Sequence, residues 1–306
     1  MHRIIFILLL LASPCAYAQL PETVVYLFDM QRSSKGIKIM NPRIISKKSG
    51  YNNQPYFTPD GEAIYFVSSM DTTNTEIYRY QIGKKKSRRI TKTPEPEYSP
   101  KYTPDMGRIS CVRVEKDKTT QHLYTYNFKG KDAQLLMPNL KTIGYYEWIS
   151  PTDFLSFELP EPFYLVKHSP AKRRTDTLAT NVGRTFVNLR TKNTYVFVDK
   201  TDSMHWKMRT ITAENVRSIN LHRKTEFAEL CETIPGEEDY CFLRDGSVLM
   251  GHEGILYIKK NPFRNKDATW DELIDMKTFG ISKFYRIAVS PDNQLLAVVA
   301  YTGKKP

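Results

Sequence analysis

Cysteine is scarce in this chain, four residues in 306, and one of them, Cys15, falls in the apolar N-terminal leader. The remaining Cys111, Cys231 and Cys241 are odd in number, which argues against a disulfide-framed fold. Cys111 lies in the strand-like run Arg108–Glu115 and is expected to pack as a small apolar residue. Cys231 and Cys241 bracket a loop and would pair only if their strands point toward each other. Long hydrophobic runs are missing after residue 18, so no later segment is expected to cross a membrane as a helix. Chain-wide helical periodicity is missing too. There is no Gly-x-Ser-x-Gly elbow. His252-Glu253 lacks the second histidine of a zinc protease helix. The histidines His122, His168, His205, His222 and His252 are scattered without ligand spacing. No catalytic residue, metal or cofactor is therefore expected.

Residues 1–18 read as an export signal, with His2-Arg3 as a short basic region and Ile4–Ala12 apolar. Ala16-Tyr17-Ala18 is a small-x-small cleavage site. Ala12-Ser13-Pro14 makes a poor lipidation box before Cys15, so cleavage after Ala18 is expected rather than a lipid anchor. The leader carries one arginine; removing it leaves 288 residues with 44 basic and 33 acidic side chains, a formal charge of +11. That length suits a single all-β domain, residues 19–306, periplasmic or secreted. An exported chain rarely meets nucleic acid, so the positive excess is matched instead to an acidic envelope, an acidic glycan, or nothing in particular.

What the chain does contain is a repeat. Pro59-Asp60-Gly61 and Pro104-Asp105-Met106-Gly107 stand 45 residues apart. Pro291-Asp292-Asn293 is a third copy, and Arg244-Asp245-Gly246 keeps the Asp-Gly. Eroded copies fall at Pro151-Thr152-Asp153 and Thr191-Lys192-Asn193. The series covers 232 residues in five steps, a mean of 46.4. Such a period with several short strands per unit marks a β-propeller blade. In the clearest unit Pro55-Tyr56-Phe57 precedes the turn and Ala63–Val67, Glu76–Tyr80 and Arg89-Ile90-Thr91 follow, four strands in all. After Pro291 only one more strand remains, Leu295–Tyr301. The chain start supplies Val24–Phe28 and Arg43-Ile44-Ile45. A six-bladed propeller closed by pairing N-terminal with C-terminal strands follows, which removes exposed edges. Asp271–Met276 reads equally as a turn of helix or a last blade strand.

The stretch Gln54–Phe66, continued by Glu76–Tyr80 and Arg89-Ile90-Thr91, resembles the repeat of TolB-like propellers. The resemblance covers the whole chain after the leader. It implies a six-bladed propeller of the cell envelope in a class that mostly binds proteins, and it carries over no catalytic residue. The α/β domain that precedes the propeller in the family's namesake has no counterpart, since strand-like runs begin by Val24.

The aspartates of the turns are read as turn-holding groups. Positions entering each innermost strand are more informative. They read Asn52-Asn53-Gln54, Glu97-Tyr98-Ser99, Gly144-Tyr145-Tyr146, Arg184-Thr185-Phe186, Glu237-Glu238-Asp239 and Phe284-Tyr285-Arg286. Ringed around a channel mouth, such acids, arginines, amides and tyrosines suit a polar ligand; the bland reading is a merely solvated mouth. The expected contact residues are Asn53, Glu97, Tyr98, Tyr146, Arg184, Glu238, Asp239, Tyr285 and Arg286. Trp206, after the loop Asp199–His205, is either an exposed anchor or packed between blades. Basic clusters at Lys84–Arg89, Lys172–Arg174 and Lys259-Lys260 with Arg264 fall in outer hairpins, where they guard edges or attract anionic lipid or glycan. The leading expectation is a monomeric, non-enzymatic module that binds an envelope protein or peptide. The alternatives are a lyase or hydrolase acting on an acidic saccharide, and a structural protein whose basic rim meets anionic surfaces.

Overall fold

A computed structural model describes residues 20–34, 36–69, 74–218, 225–265 and 268–303. The leader, Cys15 and His222 lie outside them. The chain opens with β1 (Thr23–Ser33) and β2 (Gly36–Ile44). The first complete blade is β3 (Asn52–Phe57), β4 (Ala63–Ser68), β5 (Glu76–Gln81) and β6 (Lys86–Arg89). The second is β7 (Glu97–Tyr102), β8 (Ile109–Val114), β9 (Gln121–Tyr126) and β10 (Gln134–Leu135). The third is β11 (Ile143–Trp148), β12 (Phe154–Glu158), β13 (Tyr164–Ser169) and β14 (Arg174–Thr180). The fourth is β15 (Val182–Leu189), β16 (Thr194–Asp199), β17 (Lys207–Thr212) and β18 (Ala228–Glu232). The fifth is β19 (Tyr240–Phe242), β20 (Val248–His252), β21 (Ile255–Lys259) and β22 (Trp270–Asp275). The sixth joins β23 (Phe284–Val289) and β24 (Leu295–Tyr301) to β1 and β2, in the order β2-β1-β24-β23. The protein is thus an all-β, six-bladed propeller closed as the repeat count implies. The ambiguous segment at Asp271 is the last strand of the fifth blade.

Closure is a continuous antiparallel ladder from Thr23↔Tyr301 to Asp29↔Leu295. Each blade is covered on both faces by its neighbours, which explains why the second strands are mostly apolar and buried. All six residues of β4 are buried, whereas β6 at the rim alternates exposed and half-buried positions. The core is accordingly a set of wedges between blades. Val25, Leu27 and Ile45 of the sixth blade meet Ile64, Phe66 and Tyr78 of the first. Leu155 and Phe157 of the third meet Tyr195 and Phe197 of the fourth. Each such side chain contributes about 1.5–3 kcal/mol on burial.

The turn aspartates hold their turns. Asp60 Oδ1 accepts bonds from Thr58 Oγ1 and from the Glu62 amide at 2.9 Å. Asp292 does the same with Ser290 and Gln294. The next residue is left-handed: Gly61 (φ 73°), Met106 (φ 57°), Gly246 (φ 89°) and Asn293 (φ 61°). In the second blade, then, methionine rather than the glycine after it takes the strained position. Cys111 is fully buried. Cys231 and Cys241 are free thiols on the outermost strand of the fourth blade and the innermost strand of the fifth.

Candidate functional site

The six inner strands converge on a channel cavity of about 410 Å³. Gln54, Ser99, Tyr145, Arg184, Asp239 and Arg286, one from each blade, line it. At its mouth the ladders break. Register shifts occur at Asn53/Tyr56, Tyr98/Lys101, Ile143/Tyr145, Val182/Phe186 and Phe284/Arg286. The fifth blade's inner strand starts only at Tyr240, so Glu237–Asp239 enter as a loop. Bulges bend a strand and re-aim its side chains, and they gather beside functional sites. Gln54 and Ser99 are also left-handed, each with φ 55° and each before a proline. A left-handed non-glycine residue costs about 1–2 kcal/mol. Local bonds hold the pair: the Gln54 amide donates to Asn53 Oδ1 at 2.7 Å, and the Ser99 amide to Gln54 Oε1 at 2.7 Å.

Charge in the mouth centres on Asp239, which is 4 % exposed. Thr185 Oγ1 donates to Asp239 Oδ1 at 2.8 Å and Arg184 Nε at 3.3 Å, while Arg184 Nη2 bonds Oδ2. Arg286 Nη2 lies 3.6 Å from Oδ1. Burial works against the carboxylate, but the two guanidiniums more than offset it and hold Asp239 below the usual carboxylate range. Burial likewise opposes the charge of Arg184 and Arg286. Asp239 overcomes it in both and raises them further. Arg184 Nη1 also reaches Glu238 Oε1 at 3.3 Å, its amide donates to Glu238 Oε2 at 3.0 Å, and Lys200 Nζ stands 3.5 Å from that oxygen. Gly183 makes room: a Cβ there would lie 2.9 Å from Glu238 Oε2.

Tyrosines complete the ring. Asn53 Nδ2 donates to the hydroxyls of Tyr51 and Tyr285, both at 2.6 Å. Tyr51 meets Tyr98 edge-on at 6.4 Å, and Tyr285 packs on Tyr301 at 5.0 Å. Arg286 Nη2 donates to the Tyr145 hydroxyl at 3.4 Å, its guanidinium 5.2 Å from that ring's centre. Burial pushes Tyr51, Tyr98 and Tyr285 above the usual phenol range, so they stay neutral donors.

Of the residues singled out in the sequence, Arg184, Asp239, Arg286 and Tyr146 line the cavity, the first three with their charges joined; Glu238 bonds Arg184, Asn53 bonds Tyr285, and Tyr98 meets Tyr51. Glu97 is placed otherwise. Glu97 is fully buried between the first two blades, and neither carboxylate oxygen has a hydrogen-bond partner. Tyr146, 1 % exposed, donates to the Ser99 carbonyl at 3.0 Å and Ser110 Oγ at 2.8 Å. Tyr146 still lines the cavity, and beside the bulge at Gly144 its neighbour Tyr145 is the one that bonds Arg286. Sequence reasoning missed Tyr51 and Lys200, and put Thr185 in the ring without naming it a contact. Tyr51 stands one position before its aligned triplet, and Lys200 reaches in from a loop. Trp206 packs partly against the core between the fourth and fifth blades, with Lys200 Nζ 3.9 Å over its ring. The exposed apolar tip of that loop is Met204, 78 % exposed.

Among the described residues, one serine–histidine–acid contact falls short of a triad. Ser156 Oγ and Glu158 Oε1 both sit on His168 Nε2, at 2.9 and 2.7 Å. Ser156 is wholly buried, and a triad needs its acid on the other ring nitrogen. Among the described residues no group of three or more His, Cys, Asp or Glu is placed to hold a metal ion.

No family model matches the sequence, and no curated protein is similar enough to serve as a relative. Solved structures share the fold. A putative TolB from Agrobacterium tumefaciens superposes with a TM-score of 0.63 at 11 % identity, over 92 % of this chain and 98 % of that one. A gluconolactonase from Xanthomonas campestris gives 0.58 at 7 % identity, over 92 % and 97 %. An oligogalacturonate lyase in complex with manganese gives 0.54 at 10 % identity, over 94 % and 99 %. The TolB-like propeller architecture is therefore shared, at identities that carry the fold alone.

Proposed function

We propose that this is an exported, non-enzymatic binding module whose channel mouth holds a segment of an envelope protein or peptide. The observation that carries the reading is the bulged mouth, where Arg184, Asp239 and Arg286 are locked together beneath a rim of neutral tyrosines. Paired charges and flat aromatic faces on a rigid scaffold favour recognition, because their ordering is complete before a ligand arrives. Export rests on the leader sequence, and an envelope location is in keeping with the TolB-like architecture. The test is chemical crosslinking of an envelope extract, followed by recovery of the protein. Wild type should retain a discrete partner, and a variant carrying Arg184→Ala with Glu238→Ala should lose it about thirtyfold, as for an arginine hot spot. Equal recovery by both would sink the proposal.

A second reading is turnover of an acidic saccharide. Arg286 favours it, because its Nε and Nη1 carry no hydrogen bond among the described residues, whereas Arg184 is fully engaged. Against it, the carboxylates lining the cavity are both ion-paired, Asp239 with the arginines and Glu147 with Lys101, so neither is poised as a base. Release of unsaturated product from oligogalacturonate, abolished by Asp239→Asn, would reverse this preference.

A further inference from the structure

The three basic outer hairpins are not alike. In the third blade Arg174 pairs with Asp176 at 2.8 Å, and in the fifth Lys260 pairs with Asp271 at 3.2 Å. Other rims follow suit: Arg43 with Asp29 in the sixth blade, Arg108 with Asp132 in the second, Lys207 with Glu229 in the fourth. In the first blade Arg89 has such a partner in Glu76 at 2.7 Å, but the rest of its hairpin departs from the pattern. Arg79 stands directly across the ladder from Arg88, and Gln81 across from Lys86. These four, with Lys84, line a hollow of about 400 Å³ that contains no carboxylate. Among the described residues Arg79 bonds only the Gln81 amide oxygen. Asp60, whose carboxylate Arg79 influences, is turned into its own loop.

Like charges directly opposite on a sheet are destabilising, so edge protection does not account for this arrangement; scattered lysines would serve as well. The hairpin's other face is spoken for: Tyr78 and Tyr80 pack with Ile45, and Ser87 donates to the Ile45 carbonyl at 2.7 Å. The cationic face stays open because the neighbouring blade ends in β10, a strand of two residues. Its position is also informative. The Ile82 amide bonds the Glu62 carbonyl at 3.0 Å, which puts the basic turn beside the Asp60 turn, on the face opposite the mouth.

We propose that this hairpin docks the protein on phosphate headgroups of an anionic membrane surface, leaving the mouth facing away. The hollow has no aromatic platform and one amide, so it lacks what a saccharide needs for stacking and directional bonding. It offers cations alone, and two guanidinium forks match phosphate oxygens. The experiment is co-sedimentation of the whole protein with phosphatidylglycerol vesicles, phosphatidylcholine vesicles serving as reference. Low-salt binding to the anionic vesicles alone is expected. Arg79→Gln with Arg88→Gln should weaken it about thirtyfold, without lowering the thermal midpoint, since a repulsive pair is removed. Lys172→Gln with Lys260→Gln should change it less than about threefold, because at least Lys260 already has a carboxylate partner. Equal losses in both variants would mean diffuse net charge and overturn the assignment. So would indifference to lipid type, a preference for oligogalacturonate over vesicles, or binding of pyrophosphate with no vesicle binding. Vesicle binding retained by the Arg184→Ala, Glu238→Ala variant separates this site from the mouth.

Discussion

Glu97 has no exposed surface, and burial lifts its carboxyl from the ordinary 4.5 to about 7. Thr91 and Tyr126 hydroxyls temper that rise without meeting hydrogen-bond geometry, and nearby Glu76 adds to it. A folded-state value above the unfolded one means the fold binds the proton more tightly. The contribution of Glu97 to stability is thus greatest below about pH 4.5, falls as pH rises toward 7, and then levels, by about 3 kcal/mol in all. Urea melts at pH 5 and pH 8 should differ accordingly, and Glu97→Gln should flatten the difference. Asp239 behaves oppositely: Asp239→Asn strips two arginines of their shared partner and should cost about 3 kcal/mol by the same melts. The identity of the charged trio was legible in the aligned triplets. The fate of Glu97 was not, because alignment places a backbone at the mouth and says nothing of which way a side chain leaves it.

The turns connecting first and second strands were the most legible elements, since Pro, Asp and a left-handed residue have fixed jobs there. Met106 fills the left-handed place in the second blade, so Met106→Gly should raise stability by about 0.5–1 kcal/mol in a thermal melt. Bulges were illegible, because an extra residue in a strand leaves no compositional mark. That is why Tyr145, bonded to Arg286, was not named among the expected contacts. Close packing between blades was hidden as well. A Cβ on Gly251 would come within 2.2 Å of the Phe284 ring. Gly251→Ala should therefore destabilise by about 1–3 kcal/mol, and Phe284→Leu in the same chain should recover part of the loss. No recovery would show that the clash is not what matters there.

Ring closure follows from counting turns, and it makes β24 the pivot of the whole molecule, bonded to β1 on one side and β23 on the other. The central claim is that such a closed scaffold presents its bulged mouth to a protein partner. It is met most directly by photo-crosslinking in living cells of the native host, with the probe placed in turn at Tyr98, at Tyr145 and, as a control on an exposed outer hairpin, at Lys172. Discrete protein adducts from both mouth positions and none from Lys172 are predicted, their mass identifying the partner. Clean protein at Tyr98 and Tyr145, or the same adducts from all three positions, would contradict the account.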